Sequence, residues 1–414
     1  MATPENPSDQ EGSAGSAGKP GPAPVAIAGT GPGRPWARTF AGVLAALFAT
    51  FVAVGLAITV IPRLVTEELH GSAFDVGVAF TVSGVVALLV RPYAGRLAQQ
   101  RGCRPVMLLG AALIVLVGAL YALPLGMLGL FAARFVLGVG EALLFTAGSV
   151  WTVSLTPVDR RGQIVGFYGL AMWSGLAVGP ALGEALYRFG SYPAVWTTAA
   201  ALPVVAVLVL SRLPDSARLG TAVSTRLLPR AAILPGLSLG FGAFGYAAVA
   251  SFGALALTSR GIANGALLLS LFSASYVTVR LVAGRVPDRV GALPVIIVSA
   301  SVEAVGLLFI AFSTTLWPAA VGALIAGGGF SLLYPALALI AIDTPPESER
   351  GAVLGAISSF FDIAVGIAGL LGGLLAEVSY TATFLLAAIA VLGSLFTGTA
   401  AARRRDRALS APGS

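Results

Sequence analysis

Twelve apolar stretches, each close to the length that crosses a bilayer, restrict this chain to one class of fold. They span roughly 39–62, 73–95, 104–123, 126–153, 163–187, 193–212, 231–257, 264–285, 292–312, 316–341, 352–376 and 380–401. A helix needs about 20 residues to cross the hydrocarbon core. Runs this long do not alternate as barrel strands do, and inside lipid a helix satisfies its own backbone groups. The chain is 57% hydrophobic and 10% charged, whereas soluble proteins carry about 25% charged residues. Its surface must therefore meet lipid, and the expected class is an all-α integral membrane protein.

The net charge is +7, but the basic residues form no single patch of the kind that grips nucleic acid. They fall in the gaps between apolar runs, as membrane topology predicts. If the N-terminus is cytoplasmic, then Lys19, Arg34, Arg38, Arg96, Arg101, Arg104, Arg160, Arg161, Arg212, Arg218, Arg226, Arg230, Arg285, Arg289, Arg350 and the tail Arg403, Arg404, Arg405 and Arg407 all lie inside. Only Arg63, Arg188 and Arg260 fall in outer loops. That asymmetry predicts a multi-pass protein of the inner (plasma) membrane with both termini cytoplasmic. Residues 1–37, rich in Pro, Gly, Ser and Ala, read as a disordered cytoplasmic tail. Their acids Glu5, Asp9 and Glu11, with no apolar core, argue against a signal peptide. The expected divisions are a six-helix half over 38–213, a cytoplasmic linker over 214–230, a second half over 231–402 and a basic tail over 403–414.

Several chemistries are excluded by what is scarce. Cys103 is the sole cysteine and His70 the sole histidine. A disulfide, a cysteine metal cluster, a histidine triad and a zinc site cannot then be assembled, so no enzyme, metal or cofactor is expected. Gly29-Thr30-Gly31-Pro32-Gly33 faintly echoes a dinucleotide loop, but no strand precedes it. The asparagines are Asn6 and Asn264, and the glutamines Gln10, Gln99, Gln100 and Gln163. Sugar recognition relies on several amides and hydroxyls, so a sugar porter is disfavoured.

A constant offset of 189 residues aligns the two parts of the chain. Arg91, Gly95, Arg96 and Gly102 fall on Arg280, Gly284, Arg285 and Gly291. Gly138 and Gly140 fall on Gly327 and Gly329, Leu143 and Leu144 on Leu332 and Leu333, and Gly183 on Gly372. Pro157, Arg161, Gly162 and Gly166 fall on Pro346, Arg350, Gly351 and Gly355. Two six-helix halves related in this way are the architecture of a rocking transporter, with its site at the midplane between them.

The pattern Gly95-x-Leu97-Ala98-x-x-x-Gly102-x-Arg104 resembles the signature of the major facilitator superfamily between its second and third helices. A second copy, Gly284-x-x-x-Asp288-Arg289-x-Gly291, resembles its weaker repeat between helices eight and nine. The resemblance, over about residues 38–402, implies twelve helices in two pseudo-symmetric halves and a small-molecule substrate moved by alternating access. It makes Arg91, Gly95, Gln99, Gly102, Arg104, Arg280, Gly284, Asp288, Arg289 and Gly291 a conformational gate. The family's acid in the first copy, which helps hold the outward-open state through contacts with span eleven, is here Gln99, so an asymmetric gate is expected. Gly175-x-x-x-Gly179-Pro180-x-x-Gly183 resembles the antiporter motif of drug:proton exporters. Glycines at this spacing make a smooth helical face for close backbone approach, so tight packing alone is the competing reading. Arg134-x-x-Leu137-Gly138-x-Gly140 is similar to a fourth-helix motif tied to proton coupling, with Leu137 replacing its usual polar residue.

A charge at bilayer depth needs a reason. Arg134 and Glu141 lie two helical turns apart on one face of the fourth span. Glu141 is roughly 20 Å from either end of its helix and Asp362 about 15 Å deep in span eleven. Proton coupling by Asp362 and Glu141, tuned by Arg134, is the expected function, against a structural Arg134–Glu141 pair. Asp75 and Glu184 are weaker candidates near span ends, and Glu303, deep in span nine, has no evident role. Phe145, Phe241, Phe244, Tyr246, Phe330, Tyr334 and Phe361 suggest an apolar substrate chamber. The sequence thus points to a monomeric, proton-coupled exporter of small amphipathic or hydrophobic compounds, such as drugs or secondary metabolites. A porter of another small metabolite and a non-transporting membrane sensor are the alternatives.

Overall fold

A computed structural model describes residues 35–155, 161–214, 229–345 and 347–410, apart from the side chains of 35, 161–165, 347–352, 408 and 409. The expected tail over 1–34, nearly all of the linker, and Arg160, Arg218, Arg226, Pro157 and Pro346 lie outside that set, as do the side chains of Arg161 and Arg350.

The described residues fold into twelve main helices, with a short helix over Val286–Val290 between the eighth and ninth. They are α1 (Pro35–Arg63), α2 (Ala73–Arg101), α3 (Cys103–Ala122) and α4 (Gly126–Leu155). The stretch Arg161–Ser211 breaks at Ser191 (φ 55°, ψ −159°) into α5 (161–190) and α6 (192–211). Then follow α7 (Arg230–Thr258), α8 (Leu267–Ala283) and α9 (Ala292–Ala311). The tenth span, α10, has two pieces, Leu316–Ser331 and Leu333–Ile342, and is followed by α11 (Glu347–Ala376) and α12 (Tyr380–Ser410). Ten stretches are long and apolar enough to cross a membrane, one of them covering both α5 and α6, and α8 is a shorter apolar helix. Every expected span has its helix.

Local chemistry explains the ends. Ser72 and Asp75 form a capping box at the start of α2, with the Ser72 amide donating to Asp75 Oδ2 at 2.8 Å. Asp75, a weak candidate acid in the sequence, is therefore a helix cap. Gly102 and Gly291, matched by the 189-residue offset, adopt nearly the same left-handed conformation (φ 94°, ψ 153° and φ 89°, ψ 160°). Each lets the chain reverse without a Cβ clash.

The packing repeats as well. α4 lies against α2 and α3, and α3 against the α5–α6 stretch; α10 lies against α8 and α9, and α9 against α12. Individual contacts obey the offset. A Cβ on Gly138 would strike the Ser83 carbonyl, and one on Gly327 would strike the carbonyl of Phe272, the residue 189 positions after Ser83. Gly140 faces Gly110 and Ile114, while Gly329 faces their counterparts Ser299 and Glu303. Two seams join the halves, α2 against α11 and α5 against α8, and the same offset relates them.

The exceptions to the arginine asymmetry are all engaged. Arg63 pairs with Glu67 at 3.5 Å and Glu184 at 3.6 Å. Arg188 pairs with Glu184 at 3.0 Å and donates to Asn264. Arg260 donates to the carbonyls of Ile310, Ala311 and Ser313 and so caps the C-terminal end of α9.

Candidate transport site

The α2–α11 seam is built from small residues along one part and from charge at the other. Gly77 meets the backbone of Gly369, and Gly373 meets Ala73 and Phe74. The Thr81 hydroxyl donates to the carbonyls of Gly77 and Gly366, both at 2.8 Å. At the end away from the arginine-rich turns, the Phe74 amide donates to Glu377 Oε1 at 2.8 Å. Such close backbone approach is what small residues permit in a bilayer.

Toward the arginine-rich end the seam holds an ion pair. Arg91 Nε lies 2.7 Å from Asp362 Oδ2, and Arg91 Nη2 donates to Asp362 Oδ1 at 3.0 Å. Asp362 is 7% exposed, so two opposite charges 271 residues apart are matched with little water between them. Of the two contacts, Nη2–Oδ1 is a hydrogen bond, while Nε and Oδ2 face each other as opposite charges without hydrogen-bond geometry. Asp362 was expected as a lone acid and Arg91 as part of the gate; the fold makes them one unit.

Glu141 in α4 lies within electrostatic reach of Arg91, Asp362 and Arg134. Arg134 is buried, donates from Nε to the Ala79 carbonyl at 3.0 Å, and lies over the Phe80 ring at 4.4 Å from its centroid. Among the described residues no ion pair joins Arg134 to Glu141, so the competing reading of a structural pair is not what the fold contains. Phe145 lies under the Arg91 guanidinium, at 5.2 Å, and against Tyr168, whose hydroxyl donates to the Phe145 carbonyl.

The second seam is aromatic. Trp173 of α5 stacks on Tyr276 of α8 at 4.2 Å and reaches Tyr246, Phe330 and Phe272 at 5.1, 5.9 and 6.4 Å. Phe361 closes the group against Tyr246 at 5.7 Å and Phe330 at 6.2 Å. Three expected chamber residues, Tyr246, Phe330 and Phe361, are thus brought together in van der Waals contact rather than around a void. Phe241 packs instead at Gly393 of α12, Phe244 makes no ring contact in the cluster among the described residues, and Tyr334 lies toward Arg280 and Ser358. Trp173, Phe272 and Tyr276 were missed. The offset contained the signal, because Trp173 occupies the position 189 residues before Asp362.

The motif glycines have structural partners. Gly175, Gly179 and Gly183 face Phe48 and Phe51, Val52 and Gly55, and Leu56, so the Gly-Pro180 face lets α5 touch the α1 backbone. Arg104 donates from Nε to the Leu210 carbonyl at 3.2 Å and so caps α6. Arg280 donates to the Ser331 carbonyl at the break in α10, at 3.2 Å. Asp288 and Arg289 are exposed, Gln99 is half-buried, and Gly95 and Gly284 lie within or at the end of their helices. The side chains at the start of α11, where a gate contact with Gln99 would fall, are outside the described residues.

The described contacts between the halves differ at the two ends. Opposite the arginines, Phe74 meets Glu377 and Arg188 meets Asn264. Near the arginines, among the described residues, a Cβ on Gly166 of α5 or on its counterpart Gly355 of α11 would meet nothing within 4 Å.

Comparison with known proteins adds the family. The sequence profile of the Major Facilitator Superfamily matches residues 43–263 and again 236–413. The uncharacterized MFS-type transporter YhhS of Escherichia coli (strain K12) is 31% identical over 83% of this chain and 89% of its own length. An uncharacterized MFS-type transporter of Burkholderia mallei (strain SAVP1) is 33% identical over 87% of this chain and 91% of its own. Among solved structures, the nucleoside transporter NupG superposes with a TM-score of 0.73 at 14% identity, covering 88% of this chain and 99% of its own. The human organic anion transporter MFSD10 (TETRAN) does so at 0.67 and 16%, with the same two coverages. At such identities the two structures speak for the fold alone.

Proposed function

The chain belongs to the major facilitator superfamily and is a secondary transporter of that family, and from this premise we propose that it exports small amphipathic or hydrophobic compounds in exchange for protons. The observation that carries the reading is the part-buried Arg91–Asp362 pair across the α2–α11 seam, with Glu141 within electrostatic reach of it. Arg91 is committed to Asp362, and Arg134 to a carbonyl and a ring. Glu141 is then the acid whose charge is open to a competitor. A proton or a cationic group of the substrate can neutralise it, but not both together, and that exclusion is the elementary step of exchange.

Asp362 serves as the latch. A proton on Asp362 removes one charge of the pair and leaves Arg91 to be satisfied by Glu141, which loosens the seam between the halves. The substrate surface is the aromatic seam, which parts when the halves rotate. With the arginine-rich turns in the cytoplasm, the closed end is external and the present state opens inward. The charge asymmetry supports that orientation.

The test is transport in inverted membrane vesicles with a panel of lipophilic cations, neutral drugs and sugars, while lumenal pH is followed. The reading expects lipophilic cations to release protons from an acidified lumen and Glu141→Gln to abolish this. If substrate addition moves no protons in the wild type, the exchange mechanism is wrong.

A further inference from the structure

At the end of the molecule opposite the arginines, a cavity of roughly 300 Å³ opens between the end of α1, the α3–α4 turn and the start of α6, lined in part by Glu68, Tyr121, Tyr192, Trp196 and Thr197. None of its lining belongs to α2, α5, α8 or α11, so it stands apart from both seams.

Three rings contribute to its wall, Tyr192 half-buried and Tyr121 and Trp196 buried and packed together. Tyr121 and Trp196 lie 4.9 Å apart between ring centroids, and Tyr192 runs nearly parallel to Trp196, 18° between planes at 6.0 Å. Most of the remaining lining is aliphatic. The charged member is Glu68, exposed in the short π-helical turn Leu64–Glu68 that follows α1. Among the described residues Glu68 is in no ion pair, whereas its neighbour Glu67 is held by Arg63 at 3.5 Å. Both carboxylates lie within electrostatic reach of Tyr192. The nearby cations are already engaged. Arg63 sits over the Tyr187 ring at 4.6 Å and pairs with Glu67 and Glu184. Arg134, which reaches Tyr121 from behind the wall, is bonded to the Ala79 carbonyl.

An apolar pocket lined in part by Tyr and Trp, with one unpaired exposed carboxylate, selects a particular chemistry. A sugar or an anion would lose its water and find few donors. An organic ammonium places its cation against the rings, where the quadrupole attracts it, and its charge near Glu68. We propose that this cavity is an accessory site for an organic ammonium group, supplied by a phospholipid headgroup or by a free amine. The proposal is independent of proton exchange at the seam and can fail without it.

The test uses purified full-length protein in phosphatidylglycerol nanodiscs with radiolabelled choline as the probe. Saturable binding of one choline per chain is expected, with no competition from the uncharged analogue in which carbon replaces nitrogen. Glu68→Gln, at an exposed position, and Tyr192→Leu should each weaken binding about tenfold, while melting temperatures stay near wild type. Replacing half of the lipid with phosphatidylethanolamine separates the two sources. A fall in apparent choline affinity assigns the site to the lipid headgroup, and an unchanged value assigns it to a soluble amine. Absence of saturable binding in phosphatidylglycerol, equal competition by the uncharged analogue, or full affinity in both variants overturns the proposal.

Discussion

Arg91 and Asp362 show how a single contact is both costly and useful. Breaking this part-buried pair by removing one partner leaves a charge short of its partner, at a cost of about 1–3 kcal/mol. We therefore expect Asp362→Ala to lower the melting temperature in detergent micelles, and Arg91→Met with Asp362→Leu to recover most of that loss. The double variant should still not transport, because the latch is gone. If the single variant melts like wild type, the pair does not hold the seam. Glu303 presents the opposite case. It is fully buried in α9, both carboxyl oxygens lack a hydrogen-bond partner among the described residues, and Oε1 lies against Gly245 of α7. A buried polar group without a partner costs about 1–3 kcal/mol, so Glu303→Met should raise the melting temperature. A lower melting temperature in that variant would show that the carboxyl has a partner worth keeping.

Helix against helix, glycine position matters more than glycine count. Along the face Gly175, Gly179 and Gly183, α5 approaches the α1 backbone so closely that any side chain must push the helices apart. Overpacking a well-packed interior costs about 1–3 kcal/mol. Gly179→Leu is expected to reduce both the yield of folded protein and its melting temperature, whereas Gly169→Leu, where a Cβ meets nothing within 4 Å, should not. Equal behaviour of the two variants would remove the packing role of the motif. The tight-packing reading and the exporter reading of this motif are compatible, since a rigid α1–α5 contact is what a half that rotates as one body requires.

For the whole molecule, the expected behaviour is alternating access from a state closed at the Phe74–Glu377 end. In a Cys103→Ser background, Gly166→Cys and Gly355→Cys should react with a membrane-impermeant thiol reagent in inverted vesicles. Phe74→Cys and Glu377→Cys should cross-link to each other in the same preparation. Reaction of Gly166→Cys from the external face alone would reverse the orientation. Gln99→Asp restores the family's gate acid and should shift the population outward, read as increased labelling of external cavity cysteines. Unchanged labelling would show that Gln99 already latches as the acid does.

The sequence determined the fold almost completely, because the signals that specify it are local or periodic. Lipid forces each apolar run of about 20 residues into a helix, and twelve such runs gave twelve helices. The offset of 189 paired Gly102 with Gly291 and Gly138 with Gly327, and the structure gives each pair the same turn or the same kind of contact. It also held an unused clue, placing Trp173 where Asp362 stands in the other half. Tertiary structure alone decided the partners. Arg91 and Asp362 are 271 residues apart, and no spacing rule joins them. The Arg134–Glu141 pairing suggested by a shared helix face lost to a carbonyl on α2, since a guanidinium takes the acceptor that the packed neighbour brings. The aromatic residues likewise form one cluster across α5, α7, α8, α10 and α11, a grouping of side chains from five helices that no single helix encodes.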